Sequence, residues 1–347
     1  MTGAPFAIVC DSVADREGWL RERKTSIGAS ESASVLGRGA FQSAYALWQV
    51  KAGNVEPDSL EEREHVFWGN QLENAIIEGY AKRTGRVTVP FGLMLRSERW
   101  PWLTCTPDAW VCEGASPVEA EKLRGFVEML RRVPAESLRE REKFAHEFAD
   151  FVSRGWWPLQ VKNVGFRSSE DWTEGVPDYY RIQCVHEYLV CGAERTTGCA
   201  LVAGQRLVWD DVEHEEIIER QVVNLTREFM KSLKESIPPA VDGSESTRRA
   251  IAKRWPESEA GKIVRGSADA MARAYELDSL KSLAAATLAK AAELENAMRA
   301  EIADAESIVF PDGSGFTLKT QIKKSYTVRE SSTRVLRRKR VKDVDQD

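Results

Sequence analysis

The 347-residue chain contains no uninterrupted apolar run of about 18 residues, so no helix of ordinary length is expected to span a membrane. Its first residues, MTGAPFAIVCDSVADRE, show no basic stretch followed by an apolar one, so no secretory signal is expected. None of the six cysteines (Cys10, Cys105, Cys112, Cys184, Cys191, Cys199) stands in CxxC spacing. In a chain this long they read as reduced thiols of a cytoplasmic protein, not as a disulfide framework or a zinc site. No internal repeat is found. What is present is ordinary for a globular protein: 42% hydrophobic and 30% charged residues, with length for two domains or one with additions.

The net charge of −5 is unevenly spread. From Thr317 to Asp347 ten Lys/Arg stand against four Asp/Glu, so the tail carries +6 and the body −11. Such a balance neither announces nor excludes nucleic acid, because local basic surface matters more than the sum.

Residues 17–53 read as helix, loop and helix, with the small and hydroxyl residues of SIGASESASVLG (26–37) at a helix start. FWGNQLENAIIEGYAKRTG (67–85) reads as a helix with Leu72, Ile76 and Tyr80 at helical spacing, closed by Lys82, Arg83 and Gly85. Extended runs follow at 87–95 and 102–111. Residues 113–157 read as an inserted helical hairpin. Its start is a capping box of Ser116, Pro117 and Glu119, and Pro134 breaks it. A strand at 156–166, a helix at 177–192, strands near 198–209 and a helix at 214–235 complete a first domain over 1–235. Residues 236–265 read as a linker, rich in Pro, Ser, Gly and Glu over 236–262. The remainder, 266–347, reads as a long helix (266–305), a hairpin at FPDGSGF (310–316) and a basic tail. The leucines of the long helix recur every three or four positions and fit either packing on its own domain or a coiled-coil partner.

The chemistry-bearing pattern is an acidic residue on a helix, then Pro-Asp after a strand, then a strand carrying x-Val-Lys. These are Glu73, Pro107-Asp108, and Gln160-Val161-Lys162. Gln160 and Lys162 are two apart on a strand, so they share a face. Phosphodiester hydrolysis needs such a set. Mg²⁺ takes oxygen ligands from one or two carboxylates plus waters and substrate phosphate. A neighbouring lysine orients water and offsets charge on the phosphoryl oxygens. Each piece alone is commonplace; order and spacing together are not.

The chain resembles the phage lambda exonuclease family, the YqaJ-like viral recombinases of the PD-(D/E)XK nuclease superfamily. Four blocks carry the resemblance: Trp19 and Arg23 followed by Ile27-Gly-Ala-Ser-Glu31; Trp68 to Asn74; Cys105 to Trp110; and Leu159 to Lys162, followed by YYRIQCVHEYLV (179–190). The resemblance implies an α/β, three-layer nuclease core, a small mixed sheet flanked by helices. It implies that Glu73, Asp108 and the Val161 carbonyl bind Mg²⁺ (or Mn²⁺), with Gln160 at the remaining ligand position, and that Lys162 is the catalytic lysine. Arg23, Ser30 and Thr106 fall where the family grips a terminal 5′-phosphate, and Gln183 matches a glutamine near the active site. The implied activity is 5′→3′ exonucleolysis of double-stranded DNA, leaving 3′ single strands for recombination by annealing. A single-strand annealing protein is the implied partner, a ring of identical subunits the implied assembly, and a bacterial host cytoplasm the implied location.

Gln160 departs from the family, which carries Glu or Asp there. Two unit charges ~4 Å apart interact by roughly 4 kcal/mol at an effective dielectric near 20, so the missing charge bears on the metal site. Two other readings stay open: an endonuclease or nickase on the same core and, because of Gln160, a catalytically weak DNA-binding recombination scaffold.

Overall fold

The computed structural model describes residues 4–57, 63–133 and 137–322. Two compact units divide at Trp255/Pro256.

The first unit begins with β1 (Phe6–Asp11), α1 (Arg16–Thr25), the two-residue β2 (Ile27–Gly28), α2 (Ala29–Val35), α3 (Ala44–Lys51) and α4 (Glu64–Thr84). Four short strands follow: β3 (Val87–Pro90), β4 (Leu93–Ser97), β5 (Leu103–Cys105) and β6 (Ala109–Cys112). Then come α5 (Pro117–Arg132), α6 (Leu138–Ser153), β7 (Trp156–Val164), α7 (Asp178–Cys191), β8 (Arg195–Val202), β9 (Arg206–Glu213), α8 (Glu216–Lys234) and α9 (Glu245–Arg254).

Each of the two extended runs expected at 87–95 and 102–111 is two strands, and the two go to different sheets. β3 and β6 join a five-stranded sheet of order β3-β6-β7-β8-β9; β4 and β5 join a four-stranded sheet of order β1-β4-β5-β2. The breaks have local causes. Gly92 has φ +71, a left-handed conformation glycine adopts without strain. Pro107 has no N–H for a ladder. The two crossings brace one another, as Phe91 N–H donates to the Asp108 carbonyl (2.9 Å) and Gly92 N–H to that of Pro107 (3.1 Å). Asp108 thus sits where the chain passes between sheets.

The five-stranded sheet is mixed: β7 and β8 are parallel and the other pairs antiparallel. A parallel pair needs a crossover, and α7 supplies it. Alternation sorts the side chains. Ala109, Val111, Trp157, Leu159 and Val161 pack against Ile76, Ile77 and Tyr80 of α4. Trp110, Cys112 and Trp156 belong to the larger core with α7's Ile182, Val185 and Tyr188. Helices therefore cover both faces, the layered α/β arrangement expected, and Gln160 and Lys162 project away from the α4 side.

The hairpin α5–α6 shares that larger core. Phe148, fully buried, lies 4.8 Å from the Trp110 ring, stacks on Phe91 (5.1 Å) and meets Phe6 edge-on (5.6 Å). Half of the expected capping box is formed: Ser116 Oγ accepts from Glu119 N–H (3.2 Å). The Glu119 carboxylate instead accepts from Trp156 Nε1 (3.4 Å) and lies 3.6 Å from Arg154, partners that tertiary packing brings within reach. Pro134 lies outside the described residues.

The segment read as a linker contains α9. Ser244 caps it by accepting from Thr247 N–H (3.2 Å), and Ser43 and Thr247 hydroxyls bond at 2.7 Å. Buried Thr247 and Ala250 hold it to α3, a packing its polar composition concealed.

The second unit contains α10 (Ala268–Ile302), capped by Ser267, and the antiparallel pair β10 (Ser307–Val309) and β11 (Gly315–Thr317). Leu280, Leu288 and Leu294 of α10 are exposed. From residue 323 the basic tail lies outside the described residues.

Candidate active site

A cleft of about 1180 Å³ is lined by residues of both sheets, with Asp108 among them. All eight side chains singled out in the sequence line it: Arg23, Ser30, Glu73, Thr106, Asp108, Gln160, Lys162 and Gln183. They come from α1, α2, α4, the β5–β6 turn, β7 and α7. Val161 enters through its backbone: its N–H donates to Asp108 Oδ2 at 2.7 Å, while its side chain packs on the α4 side. A strand residue turns N–H and C=O to the same edge, so its carbonyl also faces Asp108.

Asp108 Oδ2 accepts a second hydrogen bond, from Gln160 Nε2. Burial raises the Asp108 pKa, against the opposing pull of Lys162 and these donors. Burial also lifts Glu73 to about 7, reinforced by Asp108 and opposed by Lys162. The carboxylates crowd one another, and Lys162 relieves them both. The Lys162 ammonium stands 5.3 Å over the Tyr180 ring of α7.

These groups suit a hard cation. The donors are oxygens: two mutually repelling carboxylates, an amide and a backbone carbonyl. Gln160 Oε1 is buried and has no hydrogen-bond partner, an acceptor that a cation would satisfy. Among the described residues no group of three or more His, Cys, Asp or Glu side chains is gathered as for a metal.

Glu187 and Lys51 escaped the sequence reading, as did the part played by Glu31. Glu187, fully buried on α7, accepts from Gln183 Nε2 (3.0 Å) and lines the cleft, with Oε2 unpartnered. Burial raises its pKa to about 8, and Asp108 acts in the same direction. The signal was present, because Gln183 and Glu187 are four apart and share one helix face with apolar neighbours. Glu31 lies inside a quoted block, yet its partner Lys51 lies 20 residues on, and nothing in the local sequence joins them. Gln183 is itself buried, not an exposed helix residue.

Residues 18–194 match the profile of the YqaJ-like viral recombinase domain. The chain is similar to the uncharacterized protein YqaJ of Bacillus subtilis (strain 168), with 23% identity over 299 residues, 85% of this chain and 81% of that one. Among solved structures it is similar to an alkaline exonuclease, LHK-Exo, from Laribacter hongkongensis, with 14% identity, 68% of this chain and 98% of that one covered, and a TM-score of 0.44. The structure of LHK-Exo in complex with dAMP gives 15% identity, the same coverage and a TM-score of 0.43.

Proposed function

The chain belongs to the YqaJ-like viral recombinase family, and from that premise we propose that it is a metal-dependent DNA exonuclease that degrades one strand of a duplex from its 5′ end. The observation that carries this reading is the meeting of Glu73, Asp108, Gln160 and Lys162 with Arg23, Ser30 and Thr106 in one cleft.

Glu73, Asp108, the Gln160 carbonyl and the Val161 carbonyl would hold a divalent ion, Mg²⁺ or Mn²⁺. When bound, it supplies positive charge that polarises a phosphate and lowers the pKa of water. The chain does the rest. Arg23 forks onto a terminal phosphate, and the Ser30 and Thr106 hydroxyls donate to its oxygens. That grip sets which phosphodiester reaches Lys162. The Lys162 ammonium, held over Tyr180, orients the attacking water and offsets charge gathering on the phosphoryl oxygens. Gln183, tied to Glu187, keeps an amide at the cleft floor.

The product would be a 3′ single strand, the substrate of an annealing protein, and a ring of subunits around the duplex would keep the enzyme on its track. A bacterial cytoplasm suits this role. Among the described residues no helix is long and apolar enough to cross a membrane.

The test uses 5′-phosphorylated linear duplex and closed circular duplex with Mg²⁺ or Mn²⁺. Digestion confined to the linear form supports the exonuclease; cutting of closed circles replaces it with an endonuclease or nickase. One observation favours the scaffold reading, the amide at Gln160. Equally poor digestion by wild type, Lys162→Ala and Asp108→Asn would establish it.

A further inference from the structure

Arg23 is not a free cation. Its Nη2 lies 2.6 Å from Glu31 Oε1, and its guanidinium lies 4.7 Å over the Trp19 ring. Trp19 in turn donates Nε1–H to Thr106 Oγ1 at 3.3 Å. Behind Glu31 stands Lys51 of α3, its side chain 3% exposed and its Nζ 2.8 Å from Glu31 Oε2. The same ammonium donates to the carbonyls of Arg23 (2.6 Å) and Ser26 (2.7 Å). An ammonium has three hydrogens, and all three have acceptors, so Lys51 has none left for a ligand.

Glu31 also accepts from the Gly28 N–H at 2.8 Å, so three separate groups converge on one carboxylate. Burial alone would raise its pKa; the charges of Arg23 and Lys51 outweigh burial and hold it at about 2. The cluster of two cations and one anion keeps one net positive charge, and Arg23 is its cleft-lining member. Gly28 has an ordinary φ of −75. Its missing side chain serves the guanidinium, because a Cβ there would stand 3.2 Å from Arg23 Nη1.

We propose that Lys51 and Glu31 are positioning residues for the terminal phosphate: they lock the Arg23 guanidinium against Trp19, in space that Gly28 leaves open, before any phosphate arrives. A long side chain fixed in advance loses less freedom on binding, so the lock acts on affinity for the phosphate end and not on the hydrolytic step. This inference rests on Arg23, Ser30 and Thr106 being the 5′-phosphate site.

The experiment measures kcat and KM on linear duplex ending in a 5′-phosphate or a 5′-hydroxyl, for wild type, Lys51→Met, Glu31→Gln and Gly28→Ala. Wild type is expected to show a lower KM for phosphorylated ends. In each variant the ratio between the two KM values should shrink about tenfold, the worth of a charge-assisted hydrogen bond, with the change in KM and not in kcat. Wild type that does not distinguish the two ends would remove the phosphate-site reading itself. Wild type that distinguishes them, with variants that keep its full preference or lose both substrates equally, would overturn the lock alone. Gly28→Ala retains every charge and an allowed backbone, so it tests the guanidinium's place without dismantling the cluster.

Discussion

The side-chain amide of Gln160 donates to Asp108 Oδ2 and leaves its own carbonyl buried without a donor. In the metal-free protein this serves stability, since a neutral donor beside a carboxylate is favourable where a second carboxylate is not. For a cation the same choice is a handicap, because one ligand brings no charge.

Gln160→Glu should therefore move two properties in opposite directions. Mn²⁺ binding, followed by calorimetry without DNA, should tighten about tenfold or more through the added charge. The melting temperature of the metal-free protein should fall, because Asp108 loses a donor and gains a like charge. Unchanged metal affinity would mean that the amide does not limit the site.

Lys162→Ala and Asp108→Asn should each lower the digestion rate of 5′-labelled linear duplex by about a hundredfold or more, the usual scale for removing a group that stabilises transition-state charge. Lys162→Ala should lower the melting temperature by no more than a few degrees, because the relief it gives Glu73 and Asp108 comes from a side chain that is only partly buried. A variant with near-normal rates would remove that residue from the chemistry.

Glu187 predicts a pH dependence of folding. Its carboxyl keeps a proton up to about 8 when folded and releases it near 4.5 when unfolded. Between those values the folded state binds more protons, so this group's contribution falls as pH rises through the window and levels off above it. Urea midpoints from pH 4 to 9 should fall more steeply for wild type than for Glu187→Gln, with the variant the more stable above pH 8. Parallel curves would mean that the buried carboxyl does not carry the shift.

Phe148→Ala should destabilise the first unit by about 3–5 kcal/mol, the range for removing a buried aromatic. The ring joins the hairpin to Phe6, Phe91 and Trp110. Chemical denaturation reads the loss directly. A change under about 1 kcal/mol would make the hairpin a detachable insert.

Much of this protein was legible along the chain. Apolar spacing and capping residues located α4, α5, α7, α8 and α10 to within a few positions, because helix periodicity and termini are local properties. The four blocks identified the family, and the eight side chains given roles from them line one cleft. The strand breaks at Gly92 and Pro107 were harder to see, since the residues announce a turn but not that it passes between two sheets. Helix α9 was hidden by a polar sequence that buries little beyond Thr247 and Ala250.

By itself, then, the amino-acid order determined the α/β class, the family and the residue types able to handle a phosphodiester, all of which rest on local spacing within blocks and on the order of those blocks along the chain. Tertiary structure alone decided that Lys51 stands behind Glu31, that Gln160 gives its amide hydrogen to Asp108, and that Glu187 shares the cleft with both. Those relations depend on charge and burial, and burial is a property of what the rest of the chain brings alongside a residue.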